Sequence, residues 1–81
     1  MFHKVIKVET LSNKILKVKF DNNEIKYYDV KKIINKIKEF ELLKNEIIFK
    51  NVKIDAGGYA VMWSEELDID CEELYQNGFY I

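Results

Sequence analysis

Proline and arginine are missing from this sequence, and cysteine and histidine occur once each. Among 81 residues there is one cysteine, so neither a disulfide framework nor a multi-thiolate zinc site can form within one chain. All 13 basic residues are lysine, which disfavours guanine readout because arginine makes that contact most often. No run approaches the roughly 20 apolar residues of a membrane-spanning helix, and no secretory signal is visible. We therefore expect no membrane association and a cytoplasmic location.

The length and composition of the chain predict one small globular domain, residues 1–81. Hydrophobic residues make up 48% and aromatic residues 14% of the chain, a composition too apolar for disorder. Residues 1–40 carry ten lysines against five acids, and residues 41–81 carry three lysines against nine acids. This asymmetry indicates either two halves that attract each other within one fold, or two surfaces of opposite sign that bind a partner or a second copy.

The stretch 47–63 predicts a central hairpin. Gly57 and Gly58 separate two apolar-rich runs, and a glycine pair between strand-like runs is typical of a tight turn. Trp63, after the turn, is expected in the core with its indole N–H bonded. Ile48 and Val52 differ in parity from Ile47 and Phe49, so we expect a break or bulge near residues 50–51.

The remaining periodicities predict an α+β fold. Alternating residues indicate strands at 3–11, 15–20 and 24–28, with Leu16, Val18 and Phe20 on one face of the second. Apolar residues at i, i+3, i+4 and i+7 predict one amphipathic helix over about 30–39, capped by Asp29. A short C-terminal helical turn follows Asp68 or Asp70. We predict a mostly antiparallel sheet of about five strands with the helix packed on one face.

A set of ordered motifs resembles the small bacterial domain-of-unknown-function family 2442. The motifs are LKVKF at 16–20, YYDV at 27–30, Phe40 and Leu43, Phe49 and Val52, YAVMW at 59–63, and LDID…LY within 67–75. Two positions depart from the family pattern, since residues 21–23 and Cys71 replace Asp-Gly and proline. The resemblance implies an α+β fold, no established activity, and a neighbouring small protein in an arrangement similar to toxin–antitoxin pairs.

No residue cluster has catalytic, cofactor-binding or metal-ligand spacing. His3 has no acid or nucleophile at motif spacing, and a surface or strand-edge position is expected. Cys71 is a reactive thiol only if a helix N-terminus outweighs the acids around it, and we expect a structural cysteine. Asp68 and Asp70 begin like a calcium loop, but the required glycine is absent. We expect no enzyme, metal or cofactor.

Two surfaces remain as candidates for binding. The first is a partner surface for another protein or a second copy, because an apolar tail must pack on its own domain or on a partner: Phe79, Tyr80, Ile81 and Tyr28. The second is a basic face for nucleic acid, although a solvated lysine face is the simpler reading: Lys17, Lys19, Lys32 and Lys36. The primary hypothesis is a non-catalytic protein-interaction module, antitoxin-like, and the alternative is a nucleic-acid-associated regulator.

Overall fold

A computed structural model describes residues 3–81 of the chain. These residues form two antiparallel sheets of three strands each, in the orders β1-β2-β3 and β4-β5-β6. The strands are Val5–Thr10, Ile15–Phe20, Ile25–Asp29, Lys53–Ile54, Ala60–Met62 and Asp68–Asp70. The α-helices are α1 at Lys31–Ile34, α2 at Glu46–Phe49 and α3 at Cys71–Asn77, with 3₁₀ turns at Ser12–Lys14 and Lys38–Lys44. The α+β class is confirmed, and the single sheet of about five strands is wrong.

The first sheet is organised by the alternation in its central strand. Leu16, Val18 and Phe20 of β2 are fully buried, while Lys17 and Lys19 between them are partly exposed on the opposite face. Each buried side chain of this size contributes about 1.5–3 kcal/mol of hydrophobic stabilisation before entropy costs. The sheet therefore has one face in the core and one outer face.

Strand β1 changes register where its alternation is irregular. The pairing with β2 shifts between Val5 and Lys7, so Ile6 lies in a bulge and is 52% exposed. An extra residue in one strand restores the inward parity after it. As a result Val5 is buried opposite Phe20, and Val8 packs against the core opposite Val18.

The predicted helix over 30–39 is much shorter in the structure. Helix α1 ends at Ile34, and Ile37 is extended (φ −116°, ψ 115°) and 45% exposed. A helix of this length is marginal alone, so packing decides where it ends. The following 3₁₀ turn instead buries Phe40 and Leu43. Asp29 does accept the Lys31 amide, at 3.0 Å.

The break expected near residues 50–51 is a turn of helix, α2. Asn45 caps it by accepting the amides of Ile47 and Ile48. The turn buries Phe49, leaves Ile48 half-buried and leaves Ile47 76% exposed. Residues of both parities can therefore pack against the core, which a single flat strand would not allow. Trp63 is half-buried and donates its indole N–H to the Phe49 carbonyl at 2.8 Å.

The turn at Gly57 and Gly58 connects β4 with β5 and also connects the two sheets. The Val5 amide donates to the Gly58 carbonyl at 2.7 Å, whereas β5 pairs with β6 through Val61 and Ile69. Asp68 and Asp70 were both predicted as possible helix caps, so the strand β6 that they form with Ile69 was not predicted. Because the hairpin pairs with β6, it forms its own sheet instead of extending the first one.

Helix α3 runs from its N-cap, Asp70, to Gly78. The Asp70 carboxylate accepts the Glu72 amide at 2.6 Å. Gly78 has φ −75°, so the helix does not end in the left-handed conformation that glycine often adopts there. A Cβ at this position would lie 2.5 Å from the Leu74 carbonyl oxygen. Glycine is therefore favoured here because the backbone of Leu74 leaves no room for a side chain.

Candidate partner surfaces

The chain beyond α3 adds a short strand-like contact to the first sheet. Phe79 and Tyr27 exchange both backbone hydrogen bonds at 2.8 Å, and their rings lie 6.1 Å apart. Phe79 remains 42% exposed, Tyr80 61% and Ile81 91%. Of the three predicted partner-surface residues at 79–81, the first is therefore fixed at the edge of β3 and the others are open to solvent.

Glu24 holds this segment in place at the end of the β2–β3 turn. Its carboxylate accepts hydrogen bonds from the hydroxyls of Tyr75 and, at 2.6 Å, Tyr80. Asn22 donates a third bond at 2.8 Å. These bonds favour the carboxylate and lower the pKa of Glu24 to about 2, and the same contact raises the pKa of Tyr80 to about 12.

Tyr28 does not belong to an exposed surface, and that part of the prediction is wrong. Its side chain is buried opposite Leu16, with only 4% exposed. The hydroxyl donates to Glu73 at 2.8 Å, and burial with this bond raises its pKa. Successive residues on a strand point to opposite faces, so the outward tyrosine is Tyr27.

The four predicted basic residues line two separate grooves. Lys17 and Lys19 border one groove with Lys7, Glu9 and Ile25. Lys32 and Lys36 border the other groove, together with Tyr28 and residues of α3. The two pairs of lysines therefore do not line the same groove. Lys17 and Lys19 are on β2, whereas the other two lysines follow β3. No sequence pattern showed that these elements border different grooves.

The outer face of the first sheet brings the exposed lysines and apolar residues into cross-strand rows. One row aligns Lys7, Lys19 and Ile25. The next aligns Glu9, Lys17, Tyr27 and Phe79. We use "outer face" for these seven residues. They combine a lysine cluster with an apolar strip of two aromatic rings and one isoleucine.

A third groove, open to solvent, lies between the 3₁₀ turn at Lys38–Lys44 and the loop before β6. It contains Leu42, which is 60% exposed, above the buried Leu67. Glu39, Glu41 and Glu66 lie around it with Lys38. The groove is thus apolar in its floor and mainly acidic at its rim.

The residues considered for chemistry do not converge. His3 stacks on Tyr75 at 3.7 Å and lies 3.4 Å from a Glu72 oxygen. Cys71 is 1% exposed, and burial, together with Asp70 and Glu72, raises the pKa of its thiol. A thiol in this environment is a poor nucleophile. Within residues 3–81, no three His, Cys, Asp or Glu side chains are grouped to hold a metal ion.

Two contributors to these surfaces were not identified from the sequence. Glu24 is separated from Tyr80 by 56 positions, and nothing in the local pattern links them. Tyr28 was predicted instead of the adjacent Tyr27, whose pairing with Phe79 depends on tertiary structure. In the part of the chain that is described, no helix has the length and apolar character needed to cross a membrane.

Comparison with known proteins gives a family and no further relative. No curated protein and no solved structure matches the chain. A family model described as "Protein of unknown function (DUF2442)" matches residues 5–80, which is nearly the whole chain and includes both sheets and all three α-helices. The chain therefore belongs to this family of proteins of unknown function.

Proposed function

We propose that the chain is a non-catalytic protein-interaction module, the antitoxin-like partner of a small protein encoded beside it. The observation that carries the proposal is the apolar strip on the outer face. Ile25 and Phe79 are 38% and 42% exposed, and Tyr27 between them is partly exposed. Contiguous exposed apolar groups bordered by charge are typical of protein-binding surfaces.

The site chemistry favours binding over catalysis. A general base must lie within hydrogen-bond reach of a reacting group, and the contacts of His3 are a carboxylate and a stacked ring. The one thiol is buried with a raised pKa. Neither residue borders the outer face or the groove at Leu42.

Coexpression with the product of the adjacent gene tests the proposal. We expect a stoichiometric complex in size-exclusion chromatography and native mass spectrometry. Ile25→Ser should weaken the complex by roughly tenfold, since removing a buried interface side chain commonly costs over 1 kcal/mol. Leu42→Ser is the matched control, because it makes the same type of change at an exposed apolar residue elsewhere. Two proteins that elute separately would contradict the proposal.

A nucleic-acid-associated regulator is the second candidate. It is favoured by Tyr27 and Phe79, whose rings lie beside Lys17 on an open sheet face, since aromatic residues and lysines on one face are used to bind single strands. Binding to a fluorescent oligonucleotide should then be strongest at low salt, where phosphate contacts contribute most. Undetectable binding at low salt would exclude this candidate.

A further inference from the structure

Two of the three lysines on the outer face, Lys17 and Lys19, form no ion pair among residues 3–81. Lys7 and Lys19 are directly opposite each other across β1 and β2, and like charges in this position destabilise a sheet. Lys7 has Glu9 at 3.5 Å, and both side chains are largely exposed. The outer face therefore carries three lysines and one glutamate, and its net charge is positive.

The apolar strip lies immediately beside these charges. Ile25 is opposite Lys19, and Tyr27 is opposite Lys17. Adjacent strands are about 4.8 Å apart, and alternate residues on one strand are about 7 Å apart. The outer face thus presents two lysines whose backbone positions are about 7 Å apart, with an apolar contact surface one strand away.

We propose that the outer face binds an extended acidic segment of a partner protein. Carboxylates at alternate positions of that segment lie over Lys17 and Lys19, because an extended chain has the same repeat of about 7 Å as β2. An apolar side chain two positions beyond a carboxylate is on the same side of the extended segment, and it packs on Ile25, Tyr27 and Phe79. This inference rests on the proposed function and specifies the chemistry of its partner.

The charges on the face favour discrete carboxylates over a polyanion. Glu9 lies in the same cross-strand row as Lys17, and Asp29 lies on the same side of β3 at the next alternate position. The whole chain has a net charge of −1, and the other predicted lysines border a different groove. A long nucleic-acid backbone would extend beyond the lysine pair along a chain of net negative charge, whereas a short acidic segment needs only the lysine pair.

Peptide titration followed by NMR tests the inference on the intact chain. The probe is a short synthetic peptide with Asp-Ser-Glu-Ser-Phe at its centre, which places both acids and the phenylalanine on one side of an extended chain, and its control has Asn and Gln at the acidic positions. We expect saturable amide shifts of the outer face with the acidic peptide and at least about tenfold weaker binding of the neutral one, from the loss of both solvated charge pairs. An oligothymidine of similar length is the third probe.

Charge-neutral variants locate the contact. Lys17→Gln with Lys19→Gln should weaken the acidic peptide by about tenfold. Lys32→Gln with Lys36→Gln removes the same charge from the other groove and should leave binding within about twofold. Thermal melts check that both pairs of variants fold. Equal weakening by the two pairs, shifts outside the outer face, or tighter binding of oligothymidine than of the acidic peptide would each overturn the inference.

The natural complex separates this inference from the proposed function. If the coexpressed complex forms and Lys17→Gln with Lys19→Gln leaves its affinity unchanged, the interaction module stands and the outer-face assignment is wrong. If no complex forms, the proposed function is wrong, and the peptide titration still decides whether the face recognises acidic segments.

Discussion

Replacing Gly58 by alanine perturbs the one turn that joins the two sheets. Gly58 has φ +77°, a conformation that costs a residue with a Cβ roughly 1–2 kcal/mol. The new Cβ would lie 2.8 Å from the Val5 carbonyl oxygen. That atom belongs to the backbone, so relief requires Val5 and the turn to move apart. The hydrogen bond from the Val5 amide to the Gly58 carbonyl lies in the same contact.

The expected loss follows from these terms. Weakening the hydrogen bond costs about 0.5–1.5 kcal/mol, and alanine restores about 0.4–1 kcal/mol by restricting the unfolded chain. The free energy of unfolding should therefore fall by roughly 1–3 kcal/mol, out of a total of roughly 4–12 kcal/mol for a domain of this size. At about 4–8 °C for each kcal/mol, the midpoint should fall by roughly 5–20 °C.

Gly57→Ala supplies the matched control in the adjacent position. Its Cβ would meet the ring of Tyr59 at 2.5 Å, but that side chain is 46% exposed and can rotate. We expect a loss within about 1 kcal/mol. Urea unfolding followed by circular dichroism gives both values. If Gly58→Ala lowers the free energy of unfolding by no more than Gly57→Ala does, the proposed role of the turn is refuted.

Three other predictions concern the core, the C-terminal segment and the thiol. Trp63→Phe should lower the free energy of unfolding by about 1–3 kcal/mol in urea, since it leaves the Phe49 carbonyl without its donor; an unchanged midpoint would contradict this. The low pKa of Glu24 means that its stabilisation is present above the ordinary glutamate range and is lost as pH falls toward about 2, so the Tyr80 ring resonances should shift on acidification in native protein but not in Glu24→Gln. Cys71 should react with a thiol reagent only after unfolding, because it is 1% exposed; rapid reaction of the native protein would contradict its burial.

The central strand was predictable because its local pattern and its burial agree. Leu16, Val18 and Phe20 alternate with Lys17 and Lys19, and the strand has neighbours on both sides, so its period of two determines which face is buried. In β1 the spacing of Val5 and Val8 breaks the alternation. The cause, a bulge at Ile6, depends on pairing with β2.

The helix and the second sheet were harder to predict for a common reason. Short elements take their limits from tertiary contacts, since an isolated turn of helix or a two-residue strand has little stability of its own. The apolar spacing that predicted a helix through Ile37 continues past the point where Phe40 and Leu43 enter the core. Likewise Asp68 and Asp70 resemble helix caps, although only Asp70 caps and both flank the buried Ile69.

The candidate surface was predicted only in part. The sequence indicated which kinds of residue form it, but not that they lie together on one face. Exposed apolar residues near the end of the chain indicated a binding surface, and Lys17 and Lys19 were expected to face outward. Their combination into one face depends on the contact between Phe79 and Tyr27, which joins positions 52 apart. No local pattern contains such a pairing.

The most direct test of an interaction module is native mass spectrometry of the tagged chain purified from its host. The account predicts an intact complex with one stoichiometric second protein, whose yield falls when Ile25 is replaced by serine and is unchanged when Leu42 is replaced by serine. A mass equal to the chain alone, or to the chain with nucleic acid and no protein, would contradict it.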